Sequence, residues 1–246
     1  MVDRPYIFCH MLMSLDGKIV GKYMDTKECD EPSEQFYEIA FGKNAYYKHQ
    51  GWFSGRITTD DNFTMYCKPK IDKTAPIVPS GILLLKAIIQ CIMYLSIDPL
   101  GKLGWQSNTL PYETTTAHIL EVLTEKASNA YKVMLRKLNI SYVIVGKEKL
   151  DYKLLMEKLY YKFDIKTLML GGGGVLNWSF IQTGLCDELS LVMASVADGD
   201  SKSPSIFETK EELTSDKPVG FELKNVEVLE NGGIWLRYLI KNNGGI

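Results

Sequence analysis

The run Leu168-Met169-Leu170-Gly171-Gly172-Gly173-Gly174-Val175-Leu176-Asn177-Trp178 sets four glycines where an apolar strand gives way to a helix-compatible segment. Such a junction suits a phosphate. Glycine admits positive φ and lets an anion approach the backbone, while the unpaired N–H groups and positive end of the following helix favour negative charge. The bland alternative is a tight turn with no ligand, but four consecutive glycines are more than such a turn needs. Two common phosphate motifs are excluded. A Rossmann fingerprint would need glycine at Asn177 and would normally open a first βαβ unit instead of standing this late in the chain. The Gly-Lys pairs at Gly17, Gly21, Gly42, Gly101 and Gly146 are each followed by a residue other than Ser or Thr, so no P-loop is present.

The 246 residues, 46% hydrophobic and 24% charged, are ordinary for a globular enzyme with a sizeable core. A net charge of −2 without a basic, aromatic-interleaved stripe argues against a nucleic-acid partner and for a small-molecule substrate. The five cysteines are odd in number, scattered and never in a Cys-x-x-Cys pair, and no secretory signal precedes them, so reduced thiols and a cytoplasmic location are expected. Cys9, Cys91 and Cys186, in apolar surroundings, read as small core residues. His10, His49 and His118 have no zinc-like spacing, so no metal is expected, and His118 beside Ile119-Leu120 reads as a strand residue with a satisfied ring. The apolar run Ile82 to Leu95 contains Lys86 and Gln90 and falls short of the ~20 apolar residues a membrane span needs, so it reads as a buried element.

The elements that must carry the glycine turn follow from patterning. Tyr6 to Met13 reads as a buried strand ending in Ser14-Leu15-Asp16-Gly17-Lys18, and Pro32-Ser33-Glu34 opens a helix to about Tyr47, capped by Ser33 or Asp30. Trp52 to Thr58 reads as a strand and glycine turn, Lys68 to Ser80 as a proline-rich loop, and Ile82 to Ile97 as helix or strand, ending as a strand before Asp98-Pro99. Beyond it the pattern alternates: strand His118–Leu123, helix Ser128–Leu138, strand Tyr142–Val145, helix Leu150–Phe163, strand Thr167–Leu170, helix Val175–Thr183, strand Glu188–Val196. Alternation of this kind implies a central, mostly parallel sheet with helices on both faces. Phe221–Leu229 and Ile234–Ile240, joined through Asn231-Gly232, form a C-terminal antiparallel hairpin. No linker interrupts the order, so residues 1–246 read as a single domain.

The ordered set Ser14-Leu15-Asp16-Gly17-Lys18, Gly55-Arg56-Ile57-Thr58, Asp98-Pro99-x-Gly-Lys-Leu, Gly-Gly-Gly-x-Leu-Asn and Gly184-Leu185-x-Asp187-Glu188-Leu189 resembles the pyrimidine reductase domain of the riboflavin pathway over about residues 4 to 240. The resemblance implies the three-layer α/β fold of dihydrofolate reductases, NADPH as cofactor, and hydride transfer to C1′ of a ribosylaminopyrimidine phosphate. It implies that Gly172, Gly173, Gly174, Val175 and Leu176 offer N–H groups to the pyrophosphate, and that Gly55, Arg56 and Thr58 meet its other side. Arg56 through its planar fork, or Lys126 in Thr124-Glu125-Lys126, would pair with the 2′-phosphate. Thr124 and Gly146 join this cofactor set. Ser14, Asp16 and Lys18 would line the nicotinamide and substrate side, with Asp16 and Lys18 as the catalytic pair.

Two departures touch the substrate: Gly171 stands where these reductases usually carry a sugar-binding glutamate, and Tyr66 where an arginine is usual, with Lys68 or Lys70 as replacement cations. No His-x-Glu or Pro-Cys-x-x-Cys is present, so the zinc deaminase half of the bifunctional enzymes is missing. Two other readings remain. A dihydrofolate reductase would want a Pro-Trp pair where Lys22-Tyr23 stands, with Glu34 or Glu38 as acid; a non-catalytic nucleotide-binding protein would keep the fold alone. The apolar alternation Val226, Val228, Ile234, Leu236, Tyr238, Ile240 on the hairpin predicts a homodimer built partly through it, against the alternative that the hairpin only completes the monomer's sheet.

Overall fold

The computed structural model describes residues 3–79, 81–85, 91–210, 215 and 217–241. In chain order they form β1 (Tyr6–Met13), α1 (Lys27–Phe41), β2 (Gly51–Gly55), α2 (Arg56–Thr59), β3 (Ile82–Leu83), β4 (Met93–Ile97), β5 (Thr109–Tyr112) and β6 (Thr115–Leu123). Then follow α3 (Asn129–Lys137), β7 (Ser141–Ile144), α4 (Tyr152–Lys162), β8 (Thr167–Leu170), α5 (Gly174–Gln182), β9 (Glu188–Met193), β10 (Phe221–Val228) and β11 (Ile234–Ile240). The chain folds as two compact units, one of Met1–Pro5 with His49–Leu168, the other of Tyr6–Lys48 with Met169–Ile246.

In the first unit β2, β4, β6 and β7 run parallel in that order, with the short β3 antiparallel on β7 and β5 antiparallel on β6. Phe53, Tyr94, Leu95, Leu120, Tyr142 and Leu135 fill its core. Helix α3 starts within a residue of the expected Ser128, and α4 two residues after the expected Leu150; Ser128 accepts from Tyr131 N at 3.1 Å and Asp151 from Leu154 N at 2.8 Å, each side chain satisfying an otherwise orphaned N–H. In the second unit β1 pairs in parallel with β9, β9 antiparallel with β11, and β11 antiparallel with β10 as the expected hairpin. The fold is therefore mixed α/β with mostly parallel strands and a C-terminal antiparallel hairpin. Among the described residues no helix is long and apolar enough to cross a membrane.

Several expectations are corrected. The first helix starts at Lys27 and ends at Phe41; neither Ser33 nor Asp30 caps it, and Pro32 lies inside, buried against the hairpin turn, where a Cβ on Gly233 would come within 2.9 Å of its ring. Proline lacks the N–H that a helix interior needs, which is why the sequence suggests a start there. The strand at Trp52 ends at Gly55, and the segment from Arg56 to Thr58, expected as a glycine turn, is helical. β5 is an addition. Of the run Ile82 to Leu95, residues 86–90 lie outside the described residues, Ile82 and Leu83 are half-buried, and only the part from Met93 is a buried strand. Cys91 is exposed, whereas Cys9 and Cys186 are core residues. His118 sits in β6 as expected, but its Nε2 has no hydrogen-bond partner, and burial holds the ring below its ordinary pKa.

Candidate active site

The first unit gathers its candidate residues along one line. Parallel pairing puts Gly55 beside Ile97, Ile97 beside Val122, and Leu123 beside Ile144, so the carboxyl ends of β2, β4, β6 and β7 are level. Arg56, Asp98 and Thr124 directly follow the ends of β2, β4 and β6, and Gly146 comes one residue beyond that of β7, where open parallel sheets bind ligands. Thr124 is buried and donates its hydroxyl to Pro99 O at 2.7 Å; Glu125 N–H bonds Gly146 O at 3.1 Å. These two positions shape the rim through their own turns. Thr58, one turn into the helical segment, receives Asn62 Nδ2 on its carbonyl. Both cations have counter-ions: Arg56 Nη1 bonds Asp60 at 2.8 Å, and Lys126 pairs with Glu148.

Asp98, which the sequence marks as the end of a strand and part of the Asp98-Pro99-x-Gly-Lys-Leu motif but not as a site residue, is their neighbour. Its side chain is fully buried: Oδ2 accepts the N–H of Leu103 at 2.9 Å and that of Lys102, while Oδ1 has no partner. Burial raises its pKa against the pull of those N–H groups and of Arg56.

The second unit carries the glycine turn. Gly172 has φ +91°, open to glycine at little cost, and the Gly172–Gly173 peptide is cis. Gly173 caps α5 with no side-chain hydrogen bond, so the helix presents its first N–H groups uncapped, and Val175 and Leu176 follow within that first turn. An anion fits such an end. Gly174 has another reason to be glycine: a Cβ there would lie 2.2 Å from the carbonyl oxygen of Ser205. Behind it Asn177 is fully buried, its Nδ2 donating to Ile206 O at 3.1 Å.

The Ser14–Lys18 turn belongs to the same unit. Ser14 Oγ donates to Asp16 at 2.6 Å and accepts Lys18 N–H at 3.0 Å. The Asp16 carboxylate also takes the N–H groups of Asp198 (2.9 Å) and Gly199 (3.0 Å), and Lys18 Nζ bonds Ser203 O at 3.0 Å. Ile206 N–H then reaches Gly17 O, and Glu208 N–H reaches Gly174 O. A strap, residues 198–208, thus ties the Asp16 turn to the glycine turn. The Ser14 hydroxyl and the two strap N–H groups hold the Asp16 carboxyl well below the usual carboxylate range. Asp16 is therefore an ionised anchor, unsuited to giving up a proton. Gly171 adjoins the turn without a side chain, and Tyr66, in left-handed backbone and exposed, donates its hydroxyl to Asp61. Lys68 and Lys70 are exposed. Among the described residues no group of three His, Cys, Asp or Glu is placed to hold a metal ion.

The chain is an α/β protein, with a level row of parallel strand ends in one unit and a glycine turn opening a helix in the other. The model of the RibD C-terminal domain family matches residues 105–234, and the chain belongs to that family. A 2,5-diamino-6-ribosylamino-4(3H)-pyrimidinone 5′-phosphate reductase of Aquifex aeolicus is 30% identical over 93 residues, a match spanning 38% of this chain and 41% of that protein. Among solved structures, a pyrimidine reductase-like protein from Corynebacterium diphtheriae superposes with a TM-score of 0.66 at 15% identity, covering 97% of this chain and 93% of the other. The riboflavin biosynthesis reductase Rib7 of Saccharomyces cerevisiae does so at 0.59 and 15%, covering 96% and 90%. At such identities these two speak for the fold.

Proposed function

We propose that this chain is an NADPH-dependent reductase that delivers hydride to C1′ of an open-chain ribosylaminopyrimidine phosphate, giving the ribityl amine. Family membership supports the reaction class, and the observation that carries the cofactor is the uncapped, glycine-led start of α5. The nicotinamide supplies the hydride when bound. Gly172, Gly173, Val175 and Leu176 hold the pyrophosphate through backbone N–H groups, and Gly55, Arg56, Thr58, Thr124, Lys126 and Gly146 receive the adenosine end. Ser14, Asp16 and Lys18 border the substrate. Because Asp16 is held as a carboxylate, it positions the strap, and Lys18, with its ammonium on Ser203 O, supplies the positive charge near the reacting carbon. The electron pair of the C1′=N bond goes to nitrogen, which takes a proton from solvent. The whole chain works as one reductase domain, in a cytoplasmic homodimer without nucleic-acid or membrane partners.

The test is absorbance at 340 nm with NADPH and the ribosylaminopyrimidine phosphate. Steady loss, with a product two hydrogens heavier by mass spectrometry, is expected. Loss with dihydrofolate instead, or binding without turnover, would overturn the substrate assignment.

A further inference from the structure

The two cations at the strand ends are not equally available to a phosphate. Lys126 and its partner Glu148 are both exposed, at 47% and 73% of the side chain. Exposed pairs of this kind open readily and are worth little. Arg56 differs. Its partner Asp60 is only 6% exposed, receives Arg56 Nη1 at 2.8 Å on Oδ2, and takes the Thr64 hydroxyl at 2.5 Å on Oδ1. The carboxylate is thus fixed from both sides, and Arg56 and Asp60 occupy the same helical face four residues apart. Asp98, buried at the neighbouring strand end, feels both the Arg56 and the Asp60 charges. A dianionic phosphate approaching Arg56 would meet a guanidinium already matched by a buried carboxylate a few ångströms behind it.

From this geometry we propose that Asp60 is a specificity-determining residue: it withholds Arg56 from the cofactor's 2′-phosphate and leaves that group to Lys126, so the preference for NADPH over NADH is set by a buried counter-ion. The inference rests on the proposed reading that the adenosine end of a nicotinamide cofactor lies at these strand ends. It refines that reading by dividing the two cations into one that serves the phosphate and one that does not.

The experiment measures dissociation constants of NADPH and NADH for the full chain by tryptophan fluorescence, with folding checked by circular dichroism. Asp60→Asn keeps the size and removes the charge, and should raise the NADPH:NADH affinity ratio about fivefold or more, the scale of one partly screened charge near a dianion. Arg56→Gln alone should change the ratio less than about twofold, Lys126→Gln should lower it about fivefold, and Glu148→Gln should leave it within about twofold. In the double variant Asp60→Asn/Arg56→Gln the gain should vanish. A folded Asp60→Asn protein with an unchanged ratio overturns the proposal, as does Arg56→Gln losing as much as Lys126→Gln. If Asp60→Asn does not fold, that comparison of Arg56→Gln with Lys126→Gln decides alone. Should neither cofactor bind any variant, the proposed function itself falls and this inference with it; binding with an unmoved ratio removes the inference only.

Discussion

Lys224 stands in a bulge of β10, between Leu223 and Asn225, and from there its ammonium reaches the buried carboxylate of Glu188 on β9 at 2.7 Å. Tyr6 and Tyr47 add their hydroxyls to the same carboxylate, each at 2.6 Å. The bulge lets a residue of the edge strand serve a strand beyond its neighbour, since β11 lies between β10 and β9. Burial alone would raise the Glu188 pKa, but the Lys224 bond and the two phenols outweigh it and bring the pKa below the ordinary glutamate value.

A carboxylate lowered in the folded state stabilises above its unfolded pKa, and this stabilisation is lost as pH falls through the folded value. Lys224→Met should therefore cost about 1 kcal/mol at pH 7, at the low end for a charged hydrogen bond because Lys224 is more than a third exposed. The gap between wild type and variant should close as pH drops below about 4. Melting curves from pH 7 to 3 check it, and a gap that stays constant with pH would show that Lys224 acts only by packing.

The glycine turn separates two kinds of glycine. Gly173→Asp puts a carboxylate at the uncapped start of α5, where it would accept the N–H groups offered to a pyrophosphate and repel the anion. Cofactor affinity should fall more than about a hundredfold, or roughly 2.7 kcal/mol, with little change in melting temperature. Normal NADPH binding by this variant would remove the turn from the site.

Gly174→Ala should do the reverse. Its Cβ would sit 2.2 Å from Ser205 O and 2.9 Å from the Glu208 side chain, so the strap must move. A loss of about 1–3 kcal/mol is the usual scale for such overpacking. Because the same strap bonds Gly17 and Lys18, proteolysis within residues 198–208 should also accelerate. A melting temperature equal to that of wild type would contradict the contact.

How much of this was legible in the sequence depended on distance along the chain. Helix α3 is legible because Tyr131 and Leu135, four residues apart, repeat on one face and are both buried. β5 hides because Pro111 interrupts it, tolerable only where a strand pairs on one side, and β5 pairs β6 alone among the described strands. Reading Arg56 as a turn residue concealed Asp60, since it is a helix that brings residues four apart into contact on one face. The sequence offers Asp16 only as half of a catalytic pair with Lys18, because the N–H groups that hold its carboxylate lie 182 and 183 residues further on. Local spacing finds the helical face of α3 and the hairpin; the state of the Asp16 carboxylate is fixed by remote backbone.

The same bulge bears on assembly. Pairing sets Val228 opposite Ile234, Val226 opposite Leu236 and, once the bulge has absorbed Lys224, Leu223 opposite Tyr238. Residues directly opposite share a face and alternate residues stay on it, so these six side chains line one side of the hairpin. Ile240, opposite Phe221, continues that face but is buried. Leu223, Val226 and Val228 are 55%, 53% and 76% exposed on the outermost strand. An apolar face at a sheet edge invites pairing, and a closed two-fold dimer is the common way to satisfy it without open-ended association. Light scattering after gel filtration at micromolar concentration should give a dimer, and a monomer there would remove the proposal. Val228→Asp and Tyr238→Asp should each shift the dimer to monomer, because a carboxylate desolvated against an apolar face has nothing to compensate it. The β1–β9 core lies two strands away from Val228, so the Val228→Asp monomer should keep its secondary structure. A dimer that survives both substitutions places the interface elsewhere.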